Sequence, residues 1–327
     1  MNHQNQGLPR ASSSGSGWTV RPLTLVTFLW LGLAGTGIAA GDSPLATDEI
    51  APGIFVHKGR HVSLEDPARA DSANIGFIVG ERCVAVVDTG GSVAIGTALL
   101  ATVRATTDKP VCYVVNTHGH FDHVLGNAAF ADLPDIKFVG HVNLAEGLVA
   151  STDFFLHQFA AELGPNPTAS EIVLPTMQVA DHAELDLGGR VLDLQAHPAA
   201  HTHADLSLFD RNTGTLWLGD LLFMERIPAL DGSLLGWIDV LERLQSVAAR
   251  RVVPGHGPTS APWPAAAIPQ MSYLKTLRDD VRAGIKAGDF MEDLMETAGA
   301  QQKSHWLLYE YNHGRNVSRA FTELEWE

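Results

Sequence analysis

The sequence predicts two β-sheets packed face to face with helices on the outside. Short runs rich in valine, isoleucine and leucine fall into two sets, residues 54–139 and 184–256, each with the length and composition of a buried strand. Helical patterns are interspersed with both sets, as expected if helices cover the outer faces of stacked sheets. Several apolar runs stop abruptly at a histidine or aspartate, at the strand ends where layered α/β folds collect their polar groups. A chain of 327 residues with 45% hydrophobic and 18% charged residues can bury such a core. One layered domain of about 200–250 residues plus additions is the expectation.

The N-terminus reads differently. Residues 1–17 are polar and rich in serine and glycine; Arg21, the apolar run Leu23–Leu33 and the small residues Gly35–Ala40 follow. A basic residue, a short apolar core and a small-residue exit make a secretory signal peptide over residues 1–40, cleaved near Ala39 or Ala40. The run is shorter than the roughly 20 apolar residues of a membrane span. Removing it takes two arginines and no acids, so the net charge of −15 becomes −17. Such a surface disfavours nucleic acid and anionic membranes as partners.

The first strands are Gly53–His57, Asn74–Val79 and Cys83–Asp88, the last two joined by a tight turn at Gly80-Glu81-Arg82. Thr89 to Ser92 ends the third strand and caps a helix over Val93–Arg104. Asp88, at that strand end, is placed to orient a ligand ring by accepting its second N–H. Cys83 and Cys112 fall on two apolar strands. Spacing leaves a disulfide and two buried thiols equally open, and an exported chain permits the former.

The densest chemistry follows the apolar strand Val111–Val115, in Asn116-Thr117-His118-Gly119-His120-Phe121-Asp122-His123. In extended chain, His118 and His120 point the same way because side chains repeat every second residue. Asp122 and His123 lie past a turn and reach a second position nearby. Imidazole and carboxylate together suit zinc. A short helix over Gly126–Phe130 and a strand over Lys137–His141 come next, with His141 read as structural. A helix spans Asn143–Glu162, its Phe154, Phe155, Leu156 and Phe159 read as helix core. The three-proline stretch Gly164–Thr176 reads as a loop able to cover a cleft.

The second set of strands is Glu184–Leu187, Val191–Leu194, Leu206–Phe209 and Thr215–Asp220, with a turn at Gly188-Gly189. It brings three more ligand candidates. One lies among His197, His201 and His203, and spacing alone does not choose between them. The others are Asp220, at the end of an apolar strand, and His256, where Val252-Val253 runs into Pro254-Gly255. Beyond Pro262-Trp263-Pro264, helices are expected over Ala265–Ala287, Phe290–Ala298 and toward Trp326.

With these motifs in view, the sequence resembles the metallo-β-lactamase superfamily. Its His-x-His-x-Asp-His signature matches His118, His120, Asp122 and His123, and its His-Thr dipeptide selects His201. Its bridging aspartate falls on Asp220, its final Gly-His on His256, and its Val-Asp-Thr-Gly strand end on Asp88. The resemblance implies a four-layer αββα sandwich over residues 41–260 and a helical extension over 261–327. It also implies two zinc ions, one on His118, His120 and His201, the other on Asp122, His123 and His256, with Asp220 bridging. A dizinc-activated hydroxide would then hydrolyse a small ester, thioester, amide or phosphoester, with Asp122 as the catalytic carboxylate.

The segments Thr215–Asp220, Pro228–Ser233, Arg315–Val317 and the ending Leu324–Glu327 resemble one subgroup, the quinoprotein relay system zinc metallohydrolases. That likeness implies a periplasmic location and a quinoprotein or cytochrome as partner. It also suggests Arg226, Asp231, Tyr309 and Arg315 as residues of the substrate wall. Three other functions share the scaffold. A β-lactamase would need Arg226 or a hydroxyl to stand in for a carboxylate-binding lysine, since none occurs between Leu221 and Gly255. A sulfur dioxygenase would hold iron instead of zinc. An accessory protein of a quinoprotein would bind metal and turn nothing over.

Overall fold

The computed structural model describes residues 43–327, so the predicted signal peptide over residues 1–40 lies outside the described residues. The first sheet runs in chain order: β1 (Asp48–Ala51), β2 (Ile54–His57), β3 (Ile75–Val79), β4 (Val84–Val87), β5 (Val111–Val115), β6 (Lys137–His141) and β7 (Met177–Val179). Its first four strands are antiparallel neighbours, and β4 through β7 are parallel. The second sheet holds β8 (His182–Asp186), β9 (Val191–Ala196), β10 (Leu206–Asp210), β11 (Thr215–Phe223), β12 (Arg251–His256) and β13 (Ala261–Pro262), in the order β13-β12-β11-β10-β9-β8. Within it only β11 and β12 run parallel.

The two-residue period of the strands sorts the core into layers. Ala85, Val87 and Val115 face Leu194, Leu208 and Trp217 between the sheets. The alternate residues Val84, Val86 and Val114 face outward onto Leu99 and Val103 of α1 (Val93–Thr106). On the other side Leu216, Leu218 and Val252 turn outward onto the helices of residues 234–324. The layers are therefore helix, sheet, sheet and helix. Ser92 caps α1 as expected, its hydroxyl accepting from Ile95 N–H at 3.1 Å.

After β5 comes the single-turn α2 (Phe121–Val124), then a 3-10 turn over Leu125–Phe130 in place of the expected short helix. The helix expected over Asn143–Glu162 breaks at Phe159 into α3 (Leu144–Gln158) and α4 (Ala160–Leu163). The remaining helices are α5 (Leu234–Leu244), α6 (Ile268–Ala287), α7 (Met291–Thr297) and α8 (Tyr309–Leu324). Trp237 and Leu241 of α5 share one apolar cluster with Tyr273 and Leu277 of α6 and Val317 of α8. The C-terminal helices thus form part of the outer layer on the second sheet. Cys83 and Cys112 form a disulfide with Cα atoms 5.8 Å apart, tying the start of β4 to β5. No helix among the described residues is long and apolar enough to cross a membrane.

Candidate metal centre

Four strand ends or loops converge at one edge of the sandwich. The first sheet contributes His118 and His120 in the turn after β5, then Asp122 and His123 in α2. The second sheet contributes His201 from the β9–β10 loop, Asp220 from within β11 and His256 from the end of β12. Two glycines make this convergence possible. Gly219 adopts a left-handed φ of 51°, and a Cβ there would collide with the Thr117 hydroxyl. A Cβ at Gly255 would collide with the Asp220 carboxylate.

The side chains gather into two groups, His118, His120, His201 and Asp220 in one and Asp122, His123 and His256 in the other; within each group the ligand atoms lie within 4.8 Å of one another. Asp220 stands between them. Its Oδ2 is 3.4 Å from His201 Nε2 and 3.3 Å from His256 Nε2, and its Oδ1 is 3.2 Å from His123 Nε2. His120 Nδ1 and His201 Nε2 are 3.1 Å apart. Zinc–nitrogen bonds of ~2.0–2.1 Å in a tetrahedron separate neighbouring ligand atoms by roughly 3.3 Å. Three of the inward-facing atoms, His118 Nε2, His123 Nε2 and Asp220 Oδ1, are buried with no hydrogen-bond partner. Buried polar atoms are costly when unsatisfied, and bound cations would satisfy these three. The residues fit a metal pair.

The surrounding protein sets each imidazole tautomer. His201 Nδ1–H donates to the Ala229 carbonyl at 2.7 Å and His256 Nδ1–H to the Ser72 carbonyl at 2.8 Å. His123 Nδ1–H donates to Asp88 Oδ2 at 2.8 Å. His118 Nδ1–H donates to the Thr117 hydroxyl at 3.1 Å, which in turn donates to Asp88 at 2.8 Å. His120 is turned around: Nε2–H faces Asp231 Oδ2 at 3.0 Å, so Nδ1 looks inward. Every histidine therefore directs a lone pair at the centre. Burial drives the His201 ring down to about 4, and burial together with the neighbouring His123 takes His118 well below its ordinary range. Both rings are neutral, as metal binding requires. Burial raises Asp220, but the imidazoles of His256 and His123 outweigh it and hold the carboxyl well below its usual range; Asp220 and Asp88 in turn raise His123 well above its ordinary range against its burial.

Residues 68–256 match the sequence profile described as the metallo-beta-lactamase superfamily, more than half of the chain. The chain belongs to the metallo-beta-lactamase superfamily. A curated superfamily relative, the beta-lactamase-like protein 2 homolog of Caenorhabditis elegans, is 27% identical over 175 residues, 53% of this chain. The chain spans about half the length of that relative, 52%. Among solved structures, a beta-lactamase domain protein from Burkholderia ambifaria superposes with a TM-score of 0.61 at 18% identity, covering 90% of each chain. A metallo-beta-lactamase from Pontibacter korlensis gives a TM-score of 0.56 at 20% identity, over 71% of this chain and 99% of its own. The inverting sec-alkylsulfatase Pisa1 from Pseudomonas sp. gives 0.61 at 14%, over 85% of this chain and 50% of its own. At these identities the structures speak for the superfamily fold alone.

Beside the clusters opens a cleft of about 420 Å³, lined in part by His120, Asp122, Asp220 and His256. Of the four residues expected in the substrate wall of this superfamily member, Arg226, Asp231 and Arg315 line it. Tyr309 does not. It is 7% exposed, donates its hydroxyl to the Gly299 carbonyl at 2.9 Å and stacks on His313. On α8 it belongs to the inward stripe with His313, Asn316, Val317 and Ala320, whereas Tyr311, Asn312 and Arg315 face the cleft. Phe154, Phe155 and Phe159 also line the cleft, although Phe155 and Phe159 are at the same time buried in the local core as read from the sequence. The Gly164–Thr176 loop tucks Ile172 into that core and none of its residues lines the cleft.

His141, His197 and His203 lie outside both ligand groups. His141 Nδ1 accepts from Asn143 N–H at 3.0 Å, and the His197 ring bonds Ser207 at 2.8 Å. Sequence reasoning missed Ser72, whose hydroxyl donates to Asp122 Oδ2 at 2.7 Å, and Asp205, which fixes the His201 loop through Thr202. A serine in a loop with no motif around it gives no signal. Asp205, four residues after His201 and just before a strand, had one: it is a short acidic side chain at a turn.

Proposed function

We propose that this chain is an exported, dizinc metallohydrolase acting on a small ester, thioester, amide or phosphoester. The observation that carries it is the set of buried, partnerless ligand atoms on His118, His123 and Asp220, aimed at two positions that share Asp220. His118, His120 and His201 would hold one ion and Asp122, His123 and His256 the other, with Asp220 between. When bound, such a pair polarises a carbonyl or phosphoryl oxygen and brings the pKa of water to near ~7. The protein's own contribution is to keep each imidazole in the correct tautomer and to hold Asp122 as a carboxylate. Burial raises the Asp122 carboxyl, but His123, His256 and the Ser72 hydroxyl outweigh it and keep it ionised. Asp122 at the cleft wall then acts as proton acceptor and later donor.

The sequence pattern of residues 1–40 and the Cys83–Cys112 disulfide support an oxidising compartment, the periplasm. A quinoprotein or cytochrome is the partner proposed from the subgroup-like segments. The test is elemental analysis of the mature protein with His118→Ala beside it. About two zinc per chain, reduced in the variant, supports the reading and directs an ester, thioester and lactam screen. About one iron per chain redirects it to oxidation of a sulfur compound. A chain that takes no metal overturns the ligand assignment and favours an accessory role.

A further inference from the structure

Asp220 sits where β11 loses the regular support of its neighbours. β10 pairs with β11 only from Thr215 to Trp217. On the other side β12 keeps pace only through register shifts: Gly219 lies opposite Pro254, and the next paired residue is Phe223, opposite His256. The surplus of β11 falls on Asp220, Leu221 and Leu222, and Pro254 has no N–H to offer. Extra residues of this kind bend a strand and re-aim its side chains. They also leave buried backbone groups that must find other partners.

Gln270 supplies two of those partners. Its Oε1 accepts from Phe223 N–H at 2.6 Å, and its Nε2–H donates to the Leu221 carbonyl at 2.9 Å. One acceptor and one donor, offered to residues two apart on a strand, is what a peptide unit of a parallel neighbour provides. The two backbone groups also fix the orientation of the amide, since only its oxygen can accept and only its nitrogen can donate. Gln270 is fully buried in the first turn of α6, outside the residues that match the superfamily. A methionine would fill the same space without the desolvation cost of an amide. What the amide alone supplies is the pair of bonds. Trp237 of α5 adds a second donor to the Leu221 carbonyl, Nε1–H at 2.9 Å.

The residues held in this way reach three candidate ligands. Leu221 follows Asp220 directly in the chain. The Phe223 ring stacks on His256, with centroids 5.0 Å apart and 21° between the planes, and lies 5.5 Å from the His201 ring. Trp237 lies 5.2 Å from His201 on another side. We infer that Gln270 is a positioning residue of the metal centre. Its side chain takes the place of a strand neighbour beside the bend in β11, and so sets Asp220 directly and His256 and His201 through Phe223. The inference rests on the hydrolase reading, since it assigns Gln270 to a site that holds metal.

The test compares Gln270→Met with Leu277→Ala, a core truncation farther along the same helix. Zinc affinity is measured for each full chain by competition with a chromophoric chelator, and the melting temperature is recorded without metal. Gln270→Met should weaken both zinc equivalents about tenfold, because Asp220 stands between the two groups. Leu277→Ala should melt at least as early yet hold zinc as wild type does, which separates positioning from a general loss of stability. Hydrogen exchange on the chelated wild type gives a second reading that needs no variant. There the Phe223 amide should be as protected as those of the paired stretch Thr215–Trp217. Unchanged zinc affinity in Gln270→Met, equal weakening in Leu277→Ala, or a rapidly exchanging Phe223 amide would each overturn the inference. A wild type that binds two zinc beside an indifferent Gln270→Met sinks this inference alone. A wild type that binds none sinks the hydrolase reading and this inference with it.

Discussion

Each histidine of the candidate centre spends one ring nitrogen on a protein acceptor, and the identity of that acceptor decides which nitrogen faces inward. Asp88 carries the heaviest share. It accepts from Thr117 N–H at 2.8 Å, Thr117 Oγ1–H at 2.8 Å and His123 Nδ1–H at 2.8 Å, from a buried position with a left-handed φ of 54°. An amide there has one acceptor oxygen, so Asp88→Asn must turn an NH2 group against one of those donors. Zinc affinity of the group containing His123 is expected to fall by about 10–100-fold. Competition with a chromophoric chelator measures this, and an unchanged second equivalent would show that His123 needs no such anchor. His197 offers a separate test. Burial, aided by Arg243, lowers its ring from 6.5 to about 4. The neutral ring favours the fold, so its contribution is fully present above pH 6.5 and is lost as pH falls toward 4. That gap is worth at most about 3 kcal/mol. His197→Gln keeps a partner for Ser207 and should flatten the urea-unfolding free energy between pH 6.5 and 4. Parallel pH curves for the two proteins would refute it.

At the scale of elements, α8 stands out because it holds the loop that holds the first ligand group. Asn316 accepts from Leu230 N–H at 2.9 Å and donates to the Pro228 carbonyl at 2.7 Å. Glu323 accepts from Ser233 Oγ–H and Leu234 N–H, both at 2.6 Å, and Arg315 pairs with Asp231. Between these anchors lie the Ala229 carbonyl that fixes His201 and the carboxylate that fixes His120. The second group hangs instead on Asp88 and Ser72. Asn316→Ala should cost about 1–3 kcal/mol of stability and weaken the zinc equivalent bound by His120 and His201 ahead of the other. A two-step zinc titration reads the difference, and equal weakening of both steps would rule out the asymmetry.

The same helix marks where sequence reading ran short. The residues that converge at the candidate centre were legible because strand-end histidines and aspartates in dense motifs have few other uses. Tyr309 and Tyr311 differ only in helical phase, which must be set by the buried stripe at 309, 313, 316, 317 and 320. Read at 3.6-residue spacing, that stripe would have put Tyr311 and Arg315 on the opposite face, with Asn312 at its edge. The short edge strands β1, β7 and β13 went unread because two to four residues carry too little periodicity to register.

For the whole molecule, the important fact is that the centre draws on both sheets. His118, His120, Asp122 and His123 follow β5 of the first sheet, whereas His201, Asp220 and His256 belong to the second. The disulfide, by contrast, joins β4 to β5 within one sheet. Bound metal would then be the cross-link between the two halves, and without it Asp122 and Asp220 are buried carboxylates whose charge is balanced mainly by the neighbouring His123, which they hold well above its ordinary range, while burial lowers His118 and His201. Any ligand that binds only the folded state stabilises by mass action, about 4 kcal/mol at a thousand times its dissociation constant. For a domain of this size that corresponds to a melting temperature higher by on the order of 10 °C. Chelation of the wild-type protein should remove this increment, and reduction of the disulfide should leave the metal-dependent part intact. His118→Ala should melt near the chelated wild type and respond far less to chelator. If the variant responded as strongly as wild type, metal would be stabilising the fold from somewhere other than the edge where the two sheets meet.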